Sequence, residues 1–322
     1  MTGAPPSPVG LSIVLAVQHA QDNLPDILAA LRPAAHPGVE FILCHTPADP
    51  RTPELADLGG GGGGNLRVLR APAGSLIPHL WRDGILAARG ERVATTTAHC
   101  IPAADWVERL AAADLEGIAG VGGTIGNAPD SDAKGWAVQL LRYAPFAPPQ
   151  AARDVHEIAA DNALYRRADL LRHRDLLAQG FWEPSFHARF RAEGLRLRLD
   201  PTLRVTHRNR YTAAQFAAMR LAHGRAFGLA RAGALPLPGR LRLALLSPGV
   251  PLVLLRRIVA ATRGKPALRG GLIRGAGWLA VFLLSWSAGE ARGYAASLVP
   301  GRGGRGAGGR IGDRPDSGGS GR

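Results

Sequence analysis

Four short apolar runs set the rhythm of the first hundred residues. LSIVLAV (Leu11–Val17) and VEFILCH (Val39–His45) are continuous rather than alternating, and carry β-branched residues. That is the pattern of strands covered on both faces in a parallel sheet. LRVLRA and RVATTTA, the latter beginning at Arg92, predict a third and a fourth strand. Between them, NLPDILAALRPA and SLIPHLWRDGILAARG place apolar residues at helical spacing. Strands alternating with helices predict an α/β fold with a mostly parallel sheet flanked by helices. Such sheets bind ligands beyond the carboxyl ends of their strands. The turn after RVATTTA, with His99 and Cys100, therefore falls where chemistry is expected.

Further along, the alternation loosens. GIAGVGGTIGN predicts a strand and a Gly-rich turn, and GWAVQLLRYAPF a helix. EIAADNALYRRADLLRHRDLL reads as a strand end followed by a helix. PSFHARFRAEGLRLRLDPTLRVTH reads as a helix stopped by Gly194, then a short strand ending at His207. TAAQFAAMRLAHGRAFGLAR is a helix with a basic face. Beyond Pro236 the texture changes: Leu243–Leu255 runs 13 residues without a charge, and Gly275–Gly289 runs 15. Both fall short of the roughly 20 residues of a spanning helix, although flanking arginines can snorkel and lengthen either one. Three arrangements stay open: an in-plane or re-entrant amphipathic pair, a spanning pair, and a buried core pair. The expected organisation is a flexible N-terminus (1–10), an α/β domain (11–235), a membrane-associated helical region (236–298) and a disordered basic tail (299–322).

Charge sharpens this division. The chain of 322 residues carries a formal charge of +14, and from Pro236 onward 14 basic residues face only Glu290, Asp313 and Asp316, leaving +11 there. Basic residues beside apolar runs suit an anionic membrane surface. Nucleic acid is not an expected partner, because aromatic platforms, zinc spacings and recognition-helix patterns are all missing. Two cysteines, Cys44 and Cys100, exclude a disulfide scaffold and fit a reducing compartment. The opening MTGAPPSPVG has neither a basic n-region nor an apolar core, so no signal peptide is expected. Gly60–Gly64 lacks the Lys-Ser/Thr of a phosphate loop and reads as a linker.

The motifs, in order, are SIVLAVQH (Ser12–His19), VEFILCHTPAD, RDGILAARGE (Arg82–Glu91), VATTTAHCIPAADW, GVGGTIGN, DNALYRR, GFWEPSFHARFRAEG and LDPTLRVTH. This series resembles the family 2 glycosyltransferases, with their Rossmann-like GT-A nucleotide-sugar fold. HGRAFGLAR and WSAGEARGY resemble segments of membrane-associated members. The order of the motifs carries the resemblance, over about residues 11–295. It implies a sugar moved from a nucleotide-diphosphate donor to a lipid-linked or polysaccharide acceptor, with inversion, at the cytoplasmic face of a membrane. It implies donor contacts from Val17, His19, His45, Asp83, Thr97 and His99, and acceptor contacts from Asp161, Asn162 and Trp182. His99 and His207 would contact a metal or the diphosphate.

The chain also departs from the family pattern. Thr97 and Ala98 stand where members place two carboxylates for Mg²⁺ or Mn²⁺, and Cys44 and His45 replace a second acidic pair. Weakened or lost dependence on a divalent ion is therefore expected, and a degenerate member that binds without turnover is the alternative.

Each site residue also has a plainer explanation. Glu183, beside Trp182, is the candidate general base, its pKa raised by an aromatic wall. It is otherwise a helix N-terminal Glu stabilised by the dipole. His99 is a phosphate or metal contact or a solvated turn histidine, His207 the same or a surface histidine, and Cys100 a packing residue. Asp161 and Asn162 are acceptor-side residues or helix caps. Arg208, Arg210, Arg220 and Arg225 offset diphosphate charge or form a solvated basic face.

Overall fold

The computed structural model describes residues 9–19, 21–47, 64–233 and 235–298. Expectations for the Pro-rich opening up to residue 8, Asp49, the Gly run up to residue 63 and the tail from 299 fall outside the described residues. The chain divides into two compact units. One takes Met1–Ala214 with Arg256–Leu279, and the other Gln215–Leu255 with Ala280–Arg322.

The first unit opens with β1 (Leu11–Val17), α1 (Leu24–Leu31), β2 (Val39–His45), β3 (Leu66–Arg70), α2 (Ile77–Ala87) and β4 (Arg92–Thr97). There follow β5 (Cys100–Pro102), α3 (Trp106–Ala112), β6 (Ile118–Asn127), α4 (Ala133–Tyr143), β7 (Arg153–Val155) and β8 (Asn162–Arg166). Short α5 (Arg167–Arg172) and α6 (Arg174–Leu177) lead to α7 (Glu183–Ala192) and β9 (Arg196–His207). The nine strands form one sheet in the order β3-β2-β1-β4-β8-β6-β9-β5, with β7 paired to β9. The first four strands are parallel neighbours, as the apolar runs predict. The remainder is mixed: β8 runs antiparallel to β4 and β6, while β6 and β9 are parallel.

Because side chains alternate across a strand, the sheet feeds two cores. Leu11, Ile13, Leu15 and Val17 face one, with Phe41, Leu43 and Trp106. Val14 and Ala16 face the other, with Ile42, Cys44, Trp81 and Phe186. At the amino-terminal edge a buried carboxylate is fully satisfied. Glu40 accepts from the Ser12 hydroxyl (2.7 Å), the Arg89 amide (2.9 Å) and the Arg67 and Arg89 guanidiniums (2.8 Å each). Burial alone would raise its pKa, but these donors outweigh burial and hold it below the ordinary glutamate value.

The strands of the second half are longer than expected. GIAGVGGTIGN is one strand rather than a strand and a turn, and β9 runs 12 residues through Pro201. The β6–β9 register shifts at Ile118/Gly120 and Gly122/Thr124, as β-bulges do.

Four helices end the described chain: α8 (Ala213–Gly233), α9 (Leu237–Leu246), α10 (Val250–Ala261) and α11 (Pro266–Ala296). Within the first unit, α11 begins against α4. A Cβ on Gly271 would lie 2.0 Å from Trp136 Cε3, and one on Gly275 2.9 Å from the Ala137 nitrogen. The Arg274 guanidinium sits 5.1 Å from the Trp136 ring centroid. Lys265 Nζ donates to the Ala144 carbonyl at 3.1 Å. Arg256–Leu279 thus groups with the sheet, although the sequence reading assigned it to the 236–298 region.

Within the second unit, α8 and α11 cross with their backbones touching. A Cβ on Gly224 would meet the Trp286 carbonyl at 2.3 Å, and one on Gly228 the Glu290 carbonyl at 2.5 Å. In return, one on Gly289 would meet the Leu221 carbonyl at 2.1 Å, and one on Gly293 the Arg225 carbonyl at 2.5 Å. Buried Glu290 accepts from Trp286 Nε1 (3.1 Å) and the Tyr294 hydroxyl (3.0 Å). Two helical stretches are long and apolar enough to cross a membrane, by length and composition: Leu237–Ala261 and Pro266–Ala296, with mean hydropathies of 1.7 and 1.4. The first run, Leu243–Leu255, is largely uncovered, while Leu279, Phe282 and Leu283 of the second are buried. Leu245 is 81% exposed and Leu252 71%.

Candidate active site

The parallel register brings the predicted residues to one edge of the first unit. Val17 pairs with His45 and Ala16 with Thr97, so His45 and the turn after β4 share the carboxyl-terminal edge. The turn is held at every residue. The Ala98 amide donates to the Ala16 carbonyl (2.9 Å), and the Ala98 carbonyl accepts from Asn23 Nδ2 (2.9 Å). The His99 carbonyl accepts from the Arg208 amide (2.7 Å), and His99 Nε2–H donates to the Gln18 carbonyl (3.1 Å).

Asp161 is the hub. It precedes β8, whose antiparallel register sets Asn162 opposite Thr96 and so carries Asp161 to the end of β4. Its Oδ1 accepts from the Thr97 hydroxyl (3.0 Å), the Tyr143 hydroxyl (2.8 Å) and Arg142 Nη2 (3.0 Å). Burial is the largest single influence on Arg142 and lowers its pKa, but Asp161, Tyr143, Tyr211 and Cys100 around it together outweigh burial and raise the guanidinium pKa. Arg142 and Asp161 thus form a close ion pair at 3.0 Å, little exposed on either side. Neighbouring Asn162 is spent on the fold: Oδ1 accepts from Trp106 Nε1 (2.8 Å), and Nδ2 donates to the Thr124 and Leu203 carbonyls.

Rings close one side. His99 stacks on Tyr211 with centroids 4.1 Å apart, and His207 meets Tyr143 edge-on at 4.9 Å and His99 at 6.2 Å. Both histidines are buried, at 1% and 0% exposure, so neither the solvated-turn nor the surface-histidine reading holds. Desolvation first, then the Arg142 charge, lowers His99 to about 3. Burial, with His99 and Arg142 beside it, lowers His207 well below the ordinary histidine value. Both rings are neutral near pH 7. Among the described residues, neither His207 nitrogen has a hydrogen-bond partner, nor does His99 Nδ1.

Glu183 opens α7 and is half-buried. Desolvation, then the Asp161 charge, raises its pKa to about 7. That is the range in which a carboxylate works as a base at neutral pH. Trp182, just before it, donates through Nε1 to the Gln179 carbonyl (3.0 Å) and meets His79 edge-on at 6.5 Å. The other predicted residues are more dispersed. Val17 packs into the core, and His19 is exposed at a left-handed φ of 56°. His45 is buried, its Nδ1–H donating to the Thr46 carbonyl (3.2 Å), and Asp83 is paired with Arg82 at 2.8 Å. Cys100 is a buried packing residue whose thiol pKa burial raises. Arg210, exposed overall, donates through Nε to Asn23 Oδ1 (2.8 Å), and Arg208 pairs with Asp26. Arg220 stacks over Trp286 in the second unit.

Arg142, Tyr143 and Tyr211 were not foreseen from the sequence. They lie at a helix end and in a connection, where neither apolar period nor motif marks them.

The residues present do not fit a divalent cation. Thr97 and Ala98 offer no carboxylate, and Asp161 is taken up by Thr97, Tyr143 and Arg142. Among the described residues, no group of three or more His, Cys, Asp or Glu side chains is placed to hold a metal.

Residues 12–173, half of the chain, match the family model described as glycosyl transferase family 2, and the chain belongs to that family. The helix-flanked sheet with parallel leading strands is the GT-A-like fold expected from the sequence. No curated protein sequence matches. Solved structures similar to the chain include GalNAc-T7 with UDP, GalNAc and Mn²⁺, at 16% identity and a TM-score of 0.47 over 63% of this chain. The chain spans only 43% of that protein's length. They also include the Pyrobaculum calidifontis mannosyltransferase PcManGT in complex with GDP-Man and Mn²⁺. There identity is 16% and the TM-score 0.48, over 87% of this chain and 86% of that one. A mycobacterial protein aligns at 17% identity and a TM-score of 0.44, over 67% and 72% of the two chains.

Proposed function

We propose that the chain transfers a sugar, with inversion, from a nucleotide-diphosphate donor to a lipid-linked or glycan acceptor at the cytoplasmic face of a membrane. Residues 11–235 supply the chemistry in this reading, and 236–298 the membrane contact. The observation that carries the reading is Glu183, a carboxylate at the start of α7 whose pKa of about 7 suits a general base. As the acceptor oxygen attacks the anomeric carbon, Glu183 takes the hydroxyl proton. The new carbon–oxygen bond forms on one face of the sugar. The bond to the diphosphate breaks on the other, and the leaving group departs with its electron pair. In this reading Thr97, His99 and the ends of β1 and β2 serve the donor, and Trp182 and Asp161, hydrogen-bonded to Thr97 at 3.0 Å, serve the acceptor.

The second reading, a binder without turnover, is favoured by Asp161, the carboxylate beside Thr97, being occupied by Arg142. One pair of measurements separates the two. Calorimetry with UDP and GDP, with and without Mn²⁺, is set beside transfer assays on the native chain and Glu183→Gln. A transferase loses about 10²–10⁴-fold in kcat in the variant, with nucleotide affinity unchanged. Full activity in Glu183→Gln removes Glu183 as the base. Nucleotide binding with no turnover of any donor by the native chain establishes the second reading.

A further inference from the structure

We propose that the two apolar C-terminal helices lie in the plane of an anionic bilayer and cross it nowhere, so that the chain is held on one face only. The proposal rests on the membrane contact proposed above and decides its geometry.

Leu237–Ala261 and Pro266–Ala296 are joined by only Thr262 to Lys265. If both crossed, this turn would sit on one side of the bilayer and residues 237 and 296 on the other. The turn is fixed to the sheet-bearing unit: Lys265 bonds the Ala144 carbonyl, Arg274 lies over Trp136, and Gly271 and Gly275 press against α4. That unit therefore stands on the turn side. The chain leaves it along α8 and reaches Leu237 a few residues after Gly233. Placing Leu237 on the far side would require α8 to cross as well. With Arg220, His223, Arg225 and Arg231, α8 is not among the helices apolar enough to do so.

Crossing by α11 alone fails on length. Its start, through Leu279, belongs to the sheet-bearing unit, with Leu268 and Leu279 buried there. The 17 residues from Ala280 to Ala296 reach about 25 Å at 1.5 Å per residue, short of a hydrocarbon core of about 30 Å.

The occupant follows from chemistry. In the second unit, Leu237, Leu245, Leu246, Leu252 and Leu284 are more than half exposed. From Leu237 to Gly289 there is no Asp or Glu, while Arg240, Arg242, Arg256, Arg257, Arg263 and Arg269 interrupt the apolar residues. Leucines beside uncompensated arginines match acyl chains beneath anionic headgroups.

The test uses the full chain in bacterial cells, with Gly233→Cys, Arg263→Cys and Leu298→Cys introduced singly; Gly233 is exposed ahead of the apolar stretch and has nothing within 4 Å of a new Cβ. Cys44 and Cys100 are buried and stay silent toward a membrane-impermeant maleimide. Spheroplasts and inverted membrane vesicles are labelled in parallel. One-face attachment has all three positions labelled from the same side. Labelling of Arg263→Cys from the side opposite Gly233→Cys or Leu298→Cys overturns the proposal and leaves membrane contact standing. Recovery of the whole chain in the soluble fraction, with no binding to phosphatidylglycerol vesicles, removes the membrane reading itself. In a second arm, Leu245→Glu with Leu252→Glu lowers vesicle affinity at least tenfold with unchanged circular dichroism. Unchanged affinity, or loss of the fold, shows that these leucines do not face lipid and overturns the proposal.

Discussion

At the scale of single residues, the site is a set of charges and rings tuned by burial. As the proposed base, Glu183 must be ionised to accept a proton, and its pKa is raised to about 7, so kcat/KM should rise with pH through about 7 and level off above. Asp161 contributes to that elevation. Asp161→Asn should therefore move the limb to lower pH, while leaving Arg142 buried without its counter-charge and costing about 3–5 kcal/mol of stability. A pH–rate profile beside a denaturant titration reads both. The buried histidines set a second pH dependence. Folding depresses the pKa of His99 and His207 below 6.5, so their neutral forms support the fold above pH 6.5. As pH falls below that value the unfolded chain gains protons that the folded chain refuses. The loss should reach about 1.4 kcal/mol per pH unit for each ring. His207→Phe should flatten the fall in Tm between pH 6.5 and 5, since Phe can keep the edge-on contact with Tyr143 without titrating.

At the scale of elements, the four leading strands were legible almost to the residue. Leu11–Val17 and Val39–His45 are unbroken apolar runs, and a strand covered on both faces can hardly be written otherwise. The later strands were misjudged for a physical reason. Glycines in β6 and Pro201 in β9 look like punctuation, yet the long strands run through them. The shared carboxyl-terminal edge of His45 and Thr97 followed from topology alone. Arg142 and Tyr143 did not, because the partner that gives them meaning, Asp161, is 18 or more residues away and meets them only after β8 has paired with β4. The α8–α11 crossing yields a test at this scale. Gly289→Val places atoms where the Leu221 carbonyl already stands and should lower Tm sharply. Gly277→Ala, on the same helix with nothing within 4 Å of the new methyl, should leave Tm unchanged or raise it by the helix preference of Ala. Thermal melts of the two variants make the comparison.

At the scale of the whole molecule, chain order and packing do not coincide. A cut after residue 235 removes the exposed leucines, but it also takes away Arg256–Leu279, which covers Trp136 and Ala137 in the sheet-bearing unit. Uncovering one large aromatic and a glycine-lined contact should cost several kcal/mol, on the order of 3–5. The truncated chain should therefore melt earlier and aggregate instead of behaving as a clean soluble domain. Size-exclusion chromatography and a melt on the 1–235 fragment check this. A stable monomer with native Tm would show that the C-terminal segment contributes nothing to the fold.

The glycine crossing has a genetic face as well. Every missense codon at positions 224, 228, 289 and 293 adds at least a methyl group, so no substitution there is conservative. The atoms that would be struck are the carbonyl oxygens of Trp286, Glu290, Leu221 and Arg225, which no codon change alters. A saturation library should show four intolerant columns spaced four apart in two pairs, and local second-site suppressors should be missing from the opposing positions.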